Sequence, residues 1–287
     1  MYTFSGKLKT FSIILMVLGL VGIAYGFLTA PKTIQEVETI LSEQHLGGHA
    51  SHDTHAAHDA HAAADSSTEA QVAHAEHTKH LEHVLHQLQN KPWAAVYVGC
   101  IFFMLISLGV FTFNQIQYAA SAGWSPVLFR VMEGLSAYLL PGSILFFLLL
   151  VASSAHLNHL FIWMDADVVA NDTIIQGKTG FLNIPFFLIR ALIFLAGWNI
   201  FRILSRRNSL ALDETGDLSY YKKNFKLAAG YLVFFIITES IMSWDWIMSI
   251  DAHWYSTLFG WYVFASFFVS GITVIALATI YLKSEGY

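Results

Sequence analysis

Residues 225–250 read FKLAAGYLVFFIITESIMSWDWIMSI, an apolar run that carries Glu239 and Asp245 in its second half. At about 1.5 Å of rise per residue, about 20 residues cross the hydrocarbon of a bilayer as a helix, so this run is long enough to span. An ionised side chain near the middle of a membrane costs roughly 2.5 to 3.5 kcal/mol on insertion scales, and it is kept by a partner, a water-filled path or a function. Arg190 lies in a second such run, 182–204, and Glu133 at the edge of a third, 131–155. A purely greasy anchor needs none of these four side chains.

Working outward, the whole chain has the same character. With 55% hydrophobic residues, 12% charged residues and a mean hydropathy of +0.53, it cannot bury its apolar surface in water as one soluble domain. Hydropathy predicts six transmembrane helices near 11–30, 93–113, 131–155, 182–204, 225–250 and 257–282. The predicted fold class is therefore all-α, a polytopic membrane protein. Lys7 and Lys9 precede the first span, and Arg202, Arg206, Arg207, Lys222, Lys223 and Lys226 flank the connection between the fourth and fifth, which places both segments in the cytoplasm. The connections 31–92, 156–181 and 251–256 then fall outside. No basic stripe with interleaved aromatics is present, so nucleic-acid binding is excluded. Cys100 is the one cysteine, which rules out an intramolecular disulfide, a thiolate zinc site, an iron-sulfur cluster or a C-x-x-C-H haem attachment within this chain.

Residues 1–30 read as a short cytoplasmic tail and an uncleaved anchor, since the apolar core is long for a signal peptide and no A-x-A-like site precedes Pro31. Ser125 and Pro126 have the N-cap and N1 arrangement that opens a helix, and Pro141 predicts a kink midway along the third span. Trp93, Trp124, Trp163, Trp198, Trp244, Trp246 and Trp254 lie near predicted span boundaries, where interfacial anchoring accounts for most of them.

Residues 31–92 form an external, histidine-rich, low-complexity segment. His49, His52, His55, His58 and His61 recur every third residue, and His74, His77, His80, His83 and His86 do the same. Neighbours at i, i+3 share a helix face and have the chemistry to chelate a transition metal. A strict period of three, however, spirals around a helix of period 3.6 and builds no single pocket, and Ala, Ser, Asp and Gly dominate the first half. The expectation is a mobile loop with no defined metal site. Val72, Leu81, Val84, Leu85 and Leu88 begin to show helical spacing before Pro92, which predicts a helix over 69–90.

The membrane charges take an order from their positions. Glu133 follows Arg130 at i+3, on one helix face and close enough to pair. Arg190 lies roughly 12 Å and Glu239 roughly 16 Å from the outer ends of their spans, so an Arg190–Glu239 pair is expected. Asp245 is further out and rotated away from Glu239, towards another neighbour or an outer vestibule, where Asp251 and His253 continue the polar series. Two readings fit. One is a set of buried pairs that fix helix register. The other is proton transfer through Glu133, Glu239, Asp245, Asp251 and His253, with Arg190 as a buried charge partner and hydroxyls such as Tyr138, Ser240 and Ser243 between them.

At residues 244–262 the sequence WDWIMSIDAHWYSTLFGWY resembles the strongly patterned segment of the second quinone-binding-type membrane subunit of the bacterial quinol:cytochrome c oxidoreductase called alternative complex III. SSAHLNHLFIWMD at 153–165 and IPFFLIRALIFLAGWN at 184–199 are similar to the same family. Its members are polysulfide-reductase, NrfD-like subunits built from paired four-helix bundles with flanking helices. The resemblance implies that spans two to five, residues 93–250, form a four-helix bundle, with span one peripheral. Residues 251–287 hold an outer connection and the start of a second bundle whose remainder is expected beyond this chain. It also implies a bacterial cytoplasmic (inner) membrane complex that oxidises menaquinol or another quinol. Electrons pass to cytochrome c or an equivalent acceptor through partner subunits bearing haem c and iron-sulfur clusters, with a homologous NrfD-like subunit and a terminal oxidase as further partners. The subunit resembled is associated with membrane integrity and proton conduction, the sister subunit being the expected site of quinol oxidation.

The residues agree with the expectation that no haem resides in this chain, and they leave quinone binding open. His156, His159 and His253 lie near outer span ends, and no span interior offers the axial histidines of a cytochrome b. Aromatic residue types do not separate a quinone pocket from ordinary membrane packing. From another class, a divalent-metal transporter fed by the histidine-rich segment would need carboxylate or imidazole pairs at i, i+3 or i+4 near mid-membrane, which are absent. A purely structural scaffold that docks redox partners is the third reading.

Overall fold

The computed structural model describes residues 6–47 and 66–286, and among them there are helices and connections but no strand. Six helical segments are long and apolar enough to cross a membrane. The chain is a multi-pass membrane protein. It divides into two compact units between Val96 and Tyr97.

In the first unit, α1 (Gly6–Thr29) is apolar around its whole circumference and buries no residue. A helix of that kind finds its solvent in lipid. Unexpectedly, the segment after it opens a helix, α2 (Ile34–Gly47). Thr33 and Glu36 explain the start: the Thr33 hydroxyl accepts from the Glu36 amide, and the Glu36 carboxylate accepts from the Lys32 amide at 2.7 Å, a variant of the capping box. Val37 is its buried contact. The third helix, α3 (Ser66–Ala119), includes the helix expected over 69–90 and continues through Pro92 without a break. One lost backbone bond does not end a helix that has apolar packing on both sides, and Pro92 itself is buried. Trp93 meets the Phe27 ring edge-on at 5.1 Å. His49, His52, His55, His58 and His61 lie outside the described residues, whereas His74, His77, His80, His83 and His86 fall on α3.

The second unit contains the rest of α3, then α4 (Phe129–Leu135), α5 (Leu139–Ser154), the short surface helices α6 (Ala166–Asn171) and α7 (Thr173–Gln176), and the long helices α8 (Ile184–Thr215), α9 (Ser219–Trp246) and α10 (Phe259–Ser284). Tyr97 and the rest of α3 beyond it share one buried apolar core with α5, α8 and α9, α8 and α9 pack extensively on each other, and α10 lies against α9 and α4. Each end is punctuated. Asn183 caps α8 through the Phe186 amide at 3.1 Å beside Pro185, and Gly216, at φ +67°, closes it in the left-handed conformation. Ser125 opens a helical turn as expected, but a 3-10 turn (Ser125–Leu128) in which its hydroxyl donates to Ala122 instead of capping. The third span is interrupted at the 3-10 turn Ser136–Tyr138, one turn before Pro141, because the proline ring displaces the carbonyl of the residue four positions earlier.

The packing is inside out relative to a soluble protein. Val233, Ile237 and Ile193 face outward at 66%, 59% and 53% exposure, while Asn224, Tyr231 and Asp245 are fully buried. Trp198 and Trp246 are core residues with ring centroids 5.8 Å apart, and Trp163 packs on Phe187 at 5.2 Å. Interfacial anchoring is therefore wrong for these three. Each completes a dense aromatic cluster with Tyr97, Phe146, Phe161, Phe187 or Phe194, which offers more apolar contact than the membrane surface does.

Candidate functional site

On α9 the buried polar residues Asn224, Tyr231, Thr238 and Asp245 are spaced seven apart. Seven residues bring a helical side chain back to within about 20° of its starting direction, so the four form one stripe, with successive members roughly 10 Å apart along the axis. Every member has a partner. The Asn224 amide donates to the Ser205 carbonyl and accepts from Asn208. Tyr231 shares a 2.7 Å hydrogen bond with Thr112 of α3. Thr238 accepts from the Trp198 indole at 3.0 Å. Asp245 takes the Arg190 guanidinium in two parallel bonds, Nε at 2.6 Å and Nη2 at 2.7 Å. Since Ser205, Trp198 and Arg190 all belong to α8, the stripe is largely a polar seam between α8 and α9. The heptad is legible in the sequence once looked for, but amides and hydroxyls in an apolar run draw less notice than charges.

The expected Arg190–Glu239 pair does not form. A helical side chain leans toward the N-terminus of its own helix, and α8 and α9 run in opposite directions. Arg190 therefore reaches toward Asn183 and the end of the span, while Asp245 reaches back into the bundle to meet it. The guanidinium also donates to the Phe181 carbonyl at 3.1 Å and lies 4.1 and 4.2 Å from the Phe181 and Phe186 rings. This bidentate, aromatic-sandwiched geometry is the strong form of an arginine–carboxylate pair. The Tyr97 hydroxyl donates to the Trp246 carbonyl at 2.6 Å and Ser249 donates to the Asp245 carbonyl, fixing the end of α9.

Glu239 is 6% exposed and has no cation partner among the described residues. One of its oxygens accepts weakly from Ser240 at 3.3 Å and the other has no partner. It stands next to Thr238, about 100° round the helix from the stripe. Ser243 turns its hydroxyl back to the Ser240 carbonyl, and Tyr138 is partly exposed on the 3-10 turn of the third span.

At the end of the bundle formed by α6, α7 and the segment before α10, His253 meets Asp172 at 2.5 Å and Asp251 at 3.8 Å. Asp172 is a helix cap whose carboxylate accepts from the Ile174 and Ile175 amides. Those backbone bonds, the Ile175 amide first, and the His253 side chain hold its carboxyl below the usual carboxylate range. Asp251 is open to solvent. At the opposite end, Glu133 is buried and accepts from Arg130 at 2.5 Å and from Arg206, while Arg130 also holds Asp213. The sequence brought out Arg130; Arg206 and Asp213 come from the folding of α8 against α4.

Compared with protein-family models and with curated proteins, the sequence has no match. What the arrangement does chemically must follow from its groups. Buried acceptors and donors without a protein partner among the described residues occur along the whole bundle: Arg190 Nη1, Glu239 Oε1, Asn199 Oδ1, Gln115 Oε1 and Glu133 Oε1. Buried polar atoms of this kind are where ordered water binds. Among the described residues no cluster of three or more His, Cys, Asp or Glu is arranged to hold a metal ion.

Proposed function

We propose that this chain is a membrane subunit, without redox centres of its own, of a quinol:cytochrome c or equivalent acceptor oxidoreductase of the alternative complex III type, and that the buried polar groups of its bundle, on and beside the seam, form a proton route. The observation that carries the proton reading is the series of paired polar groups and unpartnered buried acceptors running from His253 at one end to Glu133 at the other. Each group in it has a role its chemistry suits. His253, Asp172 and Asp251 exchange protons with bulk water at one mouth. The Arg190–Asp245 clamp sets a fixed dipole just inside it. Glu239 is the exchangeable carboxyl of the interior, since no cation holds its charge. Glu133, held between Arg130 and Arg206, marks the far mouth with a fixed charged cluster. Successive rungs on α9 are roughly 10 Å apart, so transfer between them runs through intervening water.

The redox assignment is supported by the resemblance of residues 244–262, which carry Asp245, Asp251 and His253 in one stretch. In this reading menaquinol is oxidised in a homologous NrfD-like partner. Iron-sulfur and haem c subunits carry the electrons, with a terminal oxidase downstream, and the chain lies in a bacterial inner membrane. The basic residues Arg206, Arg207, Lys222 and Lys223 gather at the Glu133 end and support placing that end, and the N-terminus, in the cytoplasm.

Purification from native membranes through a tag on this chain tests the assignment. Co-purifying subunits with haem c absorbance and quinol oxidation are expected. A chain that purifies alone, or with partners lacking haem, overturns it.

A further inference from the structure

Arg202 stands in the last part of the fourth span with no hydrogen bond or ion pair among the described residues, and its Nε is buried without an acceptor. Two carboxylates near that end are already engaged, Glu133 by Arg130 and Arg206, and Asp213 by Arg130. One turn before Arg202 on the same helix face is Asn199, which closes one end of an apolar cleft of about 220 Å³ between α5 and α8, lined also by Leu140, Ile144, Phe147, Leu195 and Ala196. A helical side chain covers the turn N-terminal to its own Cα, so an arginine at position 202 is within a side chain's reach of the Asn199 end of that cleft. An apolar groove whose Asn199 end lies one turn from a cation with no acidic partner among the described residues is complementary to one kind of molecule, an acyl chain joined to a phosphate.

We propose that Arg202, with Arg206 one turn further on, binds the phosphodiester of an anionic phospholipid whose acyl chain lies in the α5–α8 groove. The phosphate supplies the acceptors that Arg202 lacks, in the planar two-bond geometry that guanidinium favours. Free phosphate offers the same acceptors but nothing for the groove, so the lipid is the occupant. The inference stands on α8 and α5 alone and does not depend on the redox reading.

The test is titration of dioleoyl phosphatidylglycerol, dioleoyl phosphatidylcholine or inorganic phosphate into the delipidated detergent-solubilised protein, with bound lipid counted by native mass spectrometry. Wild type is expected to hold one phosphatidylglycerol in preference to phosphatidylcholine. Arg202→Gln should weaken it about tenfold, the usual scale for one charge-assisted contact, and Arg202→Lys by less. Ala196→Phe, which fills the groove and leaves the cation, should reduce lipid binding, whereas Arg207→Gln, on the exposed face, should not. Equal lipid retention by Arg202→Gln, equal loss on Arg207→Gln, or phosphate binding as tight as the lipid would each overturn the proposal. If Arg202→Gln does not yield folded protein, Ala196→Phe and Arg202→Lys decide it alone.

Discussion

At the residue scale the decisive contact is Arg190 with Asp245. Both groups are buried, so removing one partner leaves an uncompensated charge in low dielectric, a cost of about 3 to 5 kcal/mol. Arg190→Gln and Asp245→Asn should each lower the thermal midpoint sharply, and a double-mutant cycle between them should show strong coupling, while a cycle between Arg190 and Glu239 should show none. Additive effects at Arg190 and Asp245 would contradict the geometry. The sequence marks all four membrane charges and their depths but not the partner. Residue spacing along a helix gives height and rotation, whereas partner choice turns on how far each side chain leans along its axis. Asp172 carries a pH dependence of its own. A carboxyl held below its unfolded value contributes stability that is complete above about 3.9, the unfolded Asp value, and is lost as pH falls through the folded value. Protection of the Ile174 and Ile175 amides, measured against the intrinsic exchange rate at each pH, should therefore fall on acidification below that range, and Asp172→Asn, which keeps the acceptor oxygen, should flatten the response.

At the scale of elements, the crossing of α3 and α10 depends on two glycines. A Cβ on Gly109 would stand 2.6 Å from the Phe267 carbonyl oxygen, and one on Gly271 would stand 2.9 Å from the Val110 amide nitrogen. Both obstacles are backbone, which cannot swing aside as a side chain can. Gly109→Ala and Gly271→Ala are each expected to cost about 1 to 3 kcal/mol and to expose α10 to limited proteolysis, as overpacked helix crossings do. Cleavage no faster than wild type would show that the crossing is not tight. Helix positions are largely legible, because six apolar runs of bilayer length leave little choice. The helix α2 is harder to see although Thr33 and Glu36 carry its signal, since the histidine repeat that follows points toward a loop. For Trp163, Trp198 and Trp246, position in the span suggests the interface and the structure buries them. Burial depends on the face a residue occupies, and hydropathy does not report faces.

For the whole molecule, the two ends of the bundle differ in charge, and the proposed orientation rests on that difference. In a Cys100→Ser background, cysteine at position 165 should react with an impermeant maleimide added to intact cells, and cysteine at position 217 only after the membrane is opened. The opposite pattern would reverse the proposed sidedness. The central claim is that protons cross through this bundle, and the most direct measurement is the number of protons moved per electron by the purified complex in sealed vesicles. Glu239→Gln keeps the shape of the buried side chain and removes its exchangeable carboxyl proton. The account predicts an assembled complex with normal quinol oxidation and a lowered proton-to-electron ratio. An unchanged ratio in the assembled Glu239→Gln complex would contradict it.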